Sequence, residues 1–157
     1  MGTPIFSIRR ATIHDVRFII ALIKPNARKA IMLERTEDDV IQLLRDYFVV
    51  TEKKTKKIIG CVALHIYTDR LSELKALAVH PQYQGYGLGK RLVQRCIKEA
   101  KDLGVPKVFT LTYIPEFFKR LQFDLSDREQ LPEKIWKDCA QCSRKNNCNE
   151  ICLVYVV

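Results

Sequence analysis

The stretch that most constrains this chain is Leu77-Ala-Val-His-Pro-Gln-Tyr-Gln-Gly-Tyr-Gly-Leu-Gly89, which runs straight into an amphipathic segment. Gly85, Gly87 and Gly89 sit at alternate positions and let the backbone turn tightly with no Cβ in the way. Several N–H groups can then point into one concavity. A helix opening near Gly87 adds its unpaired first-turn donors and the positive end of its dipole, so the segment suits a diphosphate. Lys90 and Arg91 would oppose that dipole unless they face an anion. A tight turn before a helix needs one glycine, not three. The spacing is not Gly-x-Gly-x-x-Gly with a following acidic residue, and Gly-Lys-Ser/Thr is missing.

The rest of the pattern surrounds this loop with strands and helices. Phe6, Ile8 and Ala11 alternate as an opening strand. Thr12 with Asp15 reads as a capping box before Val16, Ile19, Ile20 and Ile23, a helix that Pro25 and Asn26 should interrupt. Thr36 with Asp39 opens a second helix carrying Val40, Ile41, Leu43 and Leu44. Strands are expected over 47–51 and 58–67, joined by the turn of Lys53, Lys54, Thr55, Lys56 and Lys57, and then over 71–79 up to Pro81. Leu88, Leu92, Val93, Cys96, Ile97, Ala100 and Leu103 share one face of a helix over 87–103 that ends at Gly104. A strand over 108–111, a short helix over 115–121 and a strand over 151–157 complete the order. This is an α/β chain with a mixed sheet and helices on both faces.

Length and composition fit one domain over 1–157, with a Cys-rich C-terminal segment over 132–152. The chain has 157 residues, 47% hydrophobic and 29% charged, enough to bury a core unaided. No apolar run is long enough for a transmembrane helix, and the N-terminus lacks a secretory pattern, so a cytoplasmic protein with no membrane partner is expected. The net charge of +9 attracts anions, yet the basic residues are scattered outside the lysine turn. No aromatic interleaving or nucleic-acid motif accompanies them, which argues against a nucleic-acid partner.

Gln84-x-x-Gly87-x-Gly89, preceded by Ala78-Val79 and His80-Pro81, resembles the acetyl-CoA signature of the GNAT N-acetyltransferases. The resemblance covers almost the whole chain in element order and is most specific over 73–104. It implies the GNAT fold, with two central parallel strands splayed around acetyl-CoA as co-substrate. It also implies that Leu77, Ala78 and Val79 pair through their backbone with the pantetheine arm. The amides of Gln84, Gly85, Tyr86, Gly87, Leu88, Gly89 and Lys90 would hold the diphosphate.

Acetyl transfer to an amine needs a base, a stabilised carbonyl oxygen and a leaving thiolate. Members of the family commonly place a glutamate where Glu73 stands, which implies a general base; the plainer alternative is an edge carboxylate paired with a surface lysine. A backbone N–H near Val79 would meet the oxyanion. Many relatives carry a tyrosine, five residues ahead of a Gly-Phe pair, to protonate the thiolate. Here Phe118 occupies that place and Gln122 replaces the glycine before Phe123. Phe118 would pack beside the pantetheine, and Tyr113, Thr112 or water would supply the proton. A thiol pKa of about 8.5 makes the thiolate a tolerable leaving group in any case.

Six segments point further, at 33–36, 59–64, 74–79, 110–112, 115–118 and 131–139. They resemble the short, stand-alone N-acetylglutamate synthases of arginine biosynthesis, which lack the amino-acid-kinase domain of the longer forms. The resemblance implies a small-molecule acceptor, L-glutamate, with Arg35 as the bidentate carboxylate ligand and Lys29, Lys134 or Lys137 as a second clamp. Other readings stay open: another small amine, amino acid or protein N-terminus as acceptor, or a non-catalytic acetyl-CoA sensor or interaction module. A homodimer also stays open.

Of the six cysteines, Cys61 and Cys96 read as core residues. Cys139, Cys142, Cys148 and Cys152 could bind zinc, pair as disulfides or stay free. The second pair is spaced loosely for a thiolate site and Cys152 falls in an apolar run, so zinc is not favoured.

Overall fold

In a computed structural model of the chain, the structure describes residues 2–28, 32, 34–128, 131 and 150–157. Seven strands and four α-helices alternate among them. They group into two compact units, Met1–His65 with Leu74–Glu99, and Ile66–Glu73 with Ala100–Val157.

In the first unit, β1 (Phe6–Arg10) pairs antiparallel with β2 (Tyr47–Glu52), and β2 with β3 (Ile58–Ile66). The strand β4 (Leu71–Val79) contributes Leu74–Val79 beside β3, with His80 N–H donating to Ile59 C=O at 2.8 Å. Period-two alternation along β2 sends Tyr47 and Val49 to one face and Phe48 and Val50 to the other. On the first face α1 (Val16–Arg28) and α2 (Glu37–Gln42) bury Val16, Ile19, Ile23 and Val40 against Tyr47, Val49, Cys61, Ala63 and Ala78. On the opposite face lies α3 (Leu88–Leu103), whose Leu92 and Val93 are fully buried. It packs closely over Gly60, where a Cβ would make ordinary van der Waals contact with Leu92 Cδ1 and Ala78 O, both at 3.4 Å.

Both capping boxes form. Thr36 Oγ1 accepts from Asp39 N–H at 3.1 Å and Asp39 Oδ2 accepts from Thr36 N–H at 2.9 Å. Asp15 Oδ2 accepts from Thr12 N–H at 2.7 Å, and Arg9 grips the same carboxylate at 2.6 and 3.0 Å. Burial would raise the Asp15 pKa, but the Arg9 and Thr12 hydrogen bonds prevail and hold it below its ordinary value. The first box opens a 3-10 turn, Ile13–Asp15, that leads into α1; the second opens α2, which ends at Gln42, so that Leu44 falls in a separate 3-10 turn, Leu44–Asp46, instead of the helix.

The helix α1 corrects one expectation, because it runs through Pro25 to Arg28 instead of stopping. Proline costs the helix one hydrogen bond and a clash with the carbonyl four residues earlier. Here that loss falls in the last turn, after Ile19 and Ile23 have already fixed the helix by burial.

The lysine turn between β2 and β3 is held from below. Glu52 accepts from Lys54 N–H at 3.0 Å and from Thr55 N–H at 2.8 Å, while Lys53, Lys54, Lys56 and Lys57 are exposed.

In the second unit Leu71–Glu73 of β4 pairs in parallel with Lys107–Phe109 of β5 (Lys107–Thr112), three residue pairs in all. Antiparallel to β5 runs β7 (Ile151–Val156), and β6 (Asp124–Leu125), too short to be legible in the sequence, pairs with β7. Phe109, Leu131 and Cys152 form its buried cluster with Tyr67, Leu71, Leu111 and Val154 packed around it. The short helix α4 (Pro115–Lys119) buries Phe118, whose ring meets Phe123 edge-on at 5.3 Å.

Gln122, standing where the resemblance would put glycine, has φ 70°. That conformation costs a non-glycine residue about 1–2 kcal/mol, partly offset by the entropy glycine loses on folding. Gln122→Gly is expected to raise the melting temperature by about 2–4 °C, read by calorimetry.

Candidate functional site

The first unit carries the loop. β4 ends at Val79, and Gln84 Nε2 reaches back to donate to Val79 C=O at 3.3 Å. His80 Nδ1 accepts from Gln82 N–H at 3.2 Å, capping a 3-10 turn over Pro81–Tyr83. Gly85 and Gly87 take φ 90° and 76°, so each needs glycine for its backbone conformation. A Cβ built on either would meet nothing within 4 Å, so packing imposes no such demand and the backbone there is open to an incoming group. The first bond into α3 runs from Arg91 N–H to Gly87 C=O at 3.1 Å, which leaves the Leu88, Gly89 and Lys90 amides ahead of it as first-turn donors. An open loop of left-handed glycines, feeding directly into a sixteen-residue helix, fits a diphosphate by its donor set.

Leu77, Ala78 and Val79 lie in β4 just before this loop, with Ala78 buried and the other two half-buried. Sequence reasoning missed the device beside them. Ala76 adopts φ 57° in mid-strand, and its carbonyl accepts from the Cys61 thiol at 3.3 Å. A left-handed alanine costs about 1–2 kcal/mol and is held only where the surroundings over-determine it, as happens at working sites. Alanine carries no signal for this; only glycine or asparagine would have.

Arg35, half-buried just ahead of α2, also belongs to the first unit. Tyr47, fully buried, has its phenol pushed above the ordinary tyrosine range by burial, and the Arg35 charge partly offsets that rise.

The second unit holds Glu73, Thr112, Tyr113 and Phe118. Glu73 is 1% exposed, a buried carboxylate and not an exposed one at the sheet edge. Tyr67 O–H donates to its Oε1 at 3.1 Å, and the Tyr67 ring stacks on Phe109 at 6.0 Å. Sequence reasoning passed over Tyr67, since its place at the end of β3 gives no sign that the chain returns six residues later. Thr112 is buried, and its Oγ1 accepts from Ile114 N–H at 2.9 Å, leaving its own proton for another acceptor. Tyr113 is half-buried.

The thiols of Cys61 and Cys152 are raised by burial, to about 12 and about 11 respectively, and Cys96 is raised likewise. All three are buried and free. Lys29, Lys134, Lys137, Cys139, Cys142 and Cys148 lie outside the described residues. Among the described residues no group of His, Cys, Asp and Glu could hold a metal ion, and no helix is long and apolar enough to cross a membrane.

Comparison with known proteins adds to this geometry. The profile of the acetyltransferase (GNAT) family matches residues 14–123. An uncharacterized N-acetyltransferase of Chlorobaculum tepidum is 35% identical over 147 residues, 94% of each chain. The amino-acid acetyltransferase of Mycobacterium tuberculosis is 35% identical over 117 residues, 74% of this chain and 67% of the relative. That of Pasteurella multocida is 32% identical over 130 residues, of which this chain spans only 29% of the relative's length. Among solved structures, N-acetylglutamate synthase from Neisseria gonorrhoeae, complexed with coenzyme A and N-acetyl-glutamate, matches with a TM-score of 0.86 at 29% identity. The match covers 99% of this chain and 36% of that one.

Proposed function

The chain belongs to the acetyltransferase (GNAT) family, and from that premise we propose that its acceptor is the α-amine of L-glutamate. It is an acetyl-CoA-dependent amino-acid N-acetyltransferase with acetyl-CoA as co-substrate. The observation that carries the glutamate reading is the likeness of nearly the whole chain, at 29% identity, to a synthase solved with N-acetyl-glutamate.

In this reading acetyl-CoA, when bound, supplies an acyl group already activated as a thioester. The amides of Gln84–Lys90 neutralise its diphosphate, and the backbone of Leu77–Val79 receives the pantetheine arm. Glu73 takes the proton of the attacking amine, directly or through a water. The Tyr67 hydroxyl, donating to Glu73 Oε1, orients the carboxylate. A backbone N–H near Val79 faces the developing oxyanion. Thr112 or Tyr113 returns a proton to the departing thiolate, with Phe118 serving as an apolar wall. Arg35 binds a carboxylate of the amino acid by its two parallel N–H donors. The reading extends to one acetyltransferase domain over 1–157, working in the cytoplasm in arginine biosynthesis on a small molecule, with neither nucleic acid nor membrane as partner.

Initial rates with acetyl-CoA and a panel of glutamate, glutamine and a peptide N-terminus test the acceptor. Glutamate is expected to give the highest kcat/KM; a faster glutamine or peptide reaction rejects the proposal. Arg35→Leu removes a charge-assisted pair and should raise the KM for glutamate about 10- to 150-fold, with the KM for acetyl-CoA unchanged within threefold.

A further inference from the structure

Four aromatic rings meet beside the glycine loop, and neither the family chemistry nor the carboxylate clamp uses them. Tyr86 stands between the left-handed Gly85 and Gly87. Its ring packs edge-on against Phe6 at 5.4 Å and lies tilted to Tyr83 at 6.5 Å. Tyr83 in turn meets Phe6 at 6.1 Å and His80 at 5.8 Å, both edge-on. Phe6 is the first residue of β1 and is fixed by its register opposite Glu52 of β2. The rings thus tie a loop with two flexible residues to the edge of a rigid sheet.

That tie answers a specific need. Glycines lose the most conformational freedom on ordering, and a diphosphate that relies on several aligned amides pays that loss unless the loop is ordered beforehand. The loop's other side-chain hydrogen bonds, Gln84 Nε2 to Val79 C=O and Gln82 N–H to His80 Nδ1, hold its entry and leave Gly85–Gly87 unsecured. Tyr86 is nearly half exposed, at 47%, so a role in the core does not account for its contacts. We propose that Tyr86, seated on Phe6 and Tyr83, is a positioning residue that presets the Gln84–Lys90 amides for the diphosphate of acetyl-CoA. This rests on the acetyl-CoA reading of the same loop.

The test is calorimetric binding of CoA together with steady-state kinetics on the full chain. Tyr86→Ala is expected to weaken CoA binding and raise the KM for acetyl-CoA about 5- to 30-fold, with kcat within twofold and the melting temperature nearly unchanged. Tyr86→Phe keeps the ring and should stay within twofold of wild type, whereas Phe6→Ala should shift the KM in the same direction as Tyr86→Ala. Amide hydrogen exchange in the ligand-free protein should quicken over 84–90 in Tyr86→Ala. If wild type binds CoA and Tyr86→Ala binds it equally well, the proposal is overturned while the acetyl-CoA reading stands. If Tyr86→Phe is as weak as Tyr86→Ala, the hydroxyl acts on the ligand itself and the positioning role is overturned. A wild-type chain that ignores CoA would remove the reading and the proposal together.

Discussion

Glu73→Gln is expected to lower kcat about 10²- to 10⁴-fold, while CoA affinity and the KM for acetyl-CoA stay within threefold. The amide has the carboxylate's shape, and its carbonyl oxygen can still accept from Tyr67 O–H, so the buried site keeps its packing. What it cannot do is take a proton from an ammonium nucleophile. The selective loss therefore separates a base from a structural carboxylate: truncation of a purely structural one would lower stability and leave per-molecule turnover alone. Steady-state rates with active-site titration by CoA binding decide it. Turnover equal to wild type would remove Glu73 from the chemistry.

Gly87→Val has the second large effect, on binding instead of turnover. At φ 76° a β-branched residue is forced out of its allowed region, and the loop must relax to a different path. The site for a Cβ is empty, so the fold itself should tolerate the change. The cost falls on the aim of the amides and on the open face the ligand needs. CoA affinity is expected to fall at least about 30-fold, corresponding to about 2 kcal/mol, with the melting temperature lowered by only a few degrees. Retained affinity in a calorimetric titration would mean that this loop does not hold the diphosphate.

What the sequence made legible followed from local chemistry. Thr36 with Asp39, Gly104 after Leu103, and Gly85 and Gly87 each satisfy a backbone demand within a few residues, so pattern sufficed. The burial of Cys61 and Cys96 followed from apolar neighbours on one face. Pro25 misled because its penalty depends on where in the helix it falls and on what burial has already secured. Ala76 and Gln122 were invisible for a different reason: their left-handed backbones are imposed by tertiary surroundings on residues that do not prefer them. Tyr67 and the aromatic cluster needed knowledge of which distant residues meet. The same holds for the tie of α3 to the sheet, where Arg10 and Arg95 both lie over the Phe48 ring and both pair with Glu99. The proposed glutamate acceptor rests on resemblance, since a lone arginine does not announce a dicarboxylate.

The turn between β2 and β3 has a kinetic corollary. Its one carboxylate, Glu52, is consumed by Lys54 and Thr55 backbone donors, and its four ammonium groups project into water with no ion pair to any described residue. Their positive field adds to that of a chain of net charge +9, and the co-substrate bears several phosphate charges. Encounter with acetyl-CoA is expected to be accelerated by long-range attraction, and added salt to slow it as the screening length contracts below about 10 Å.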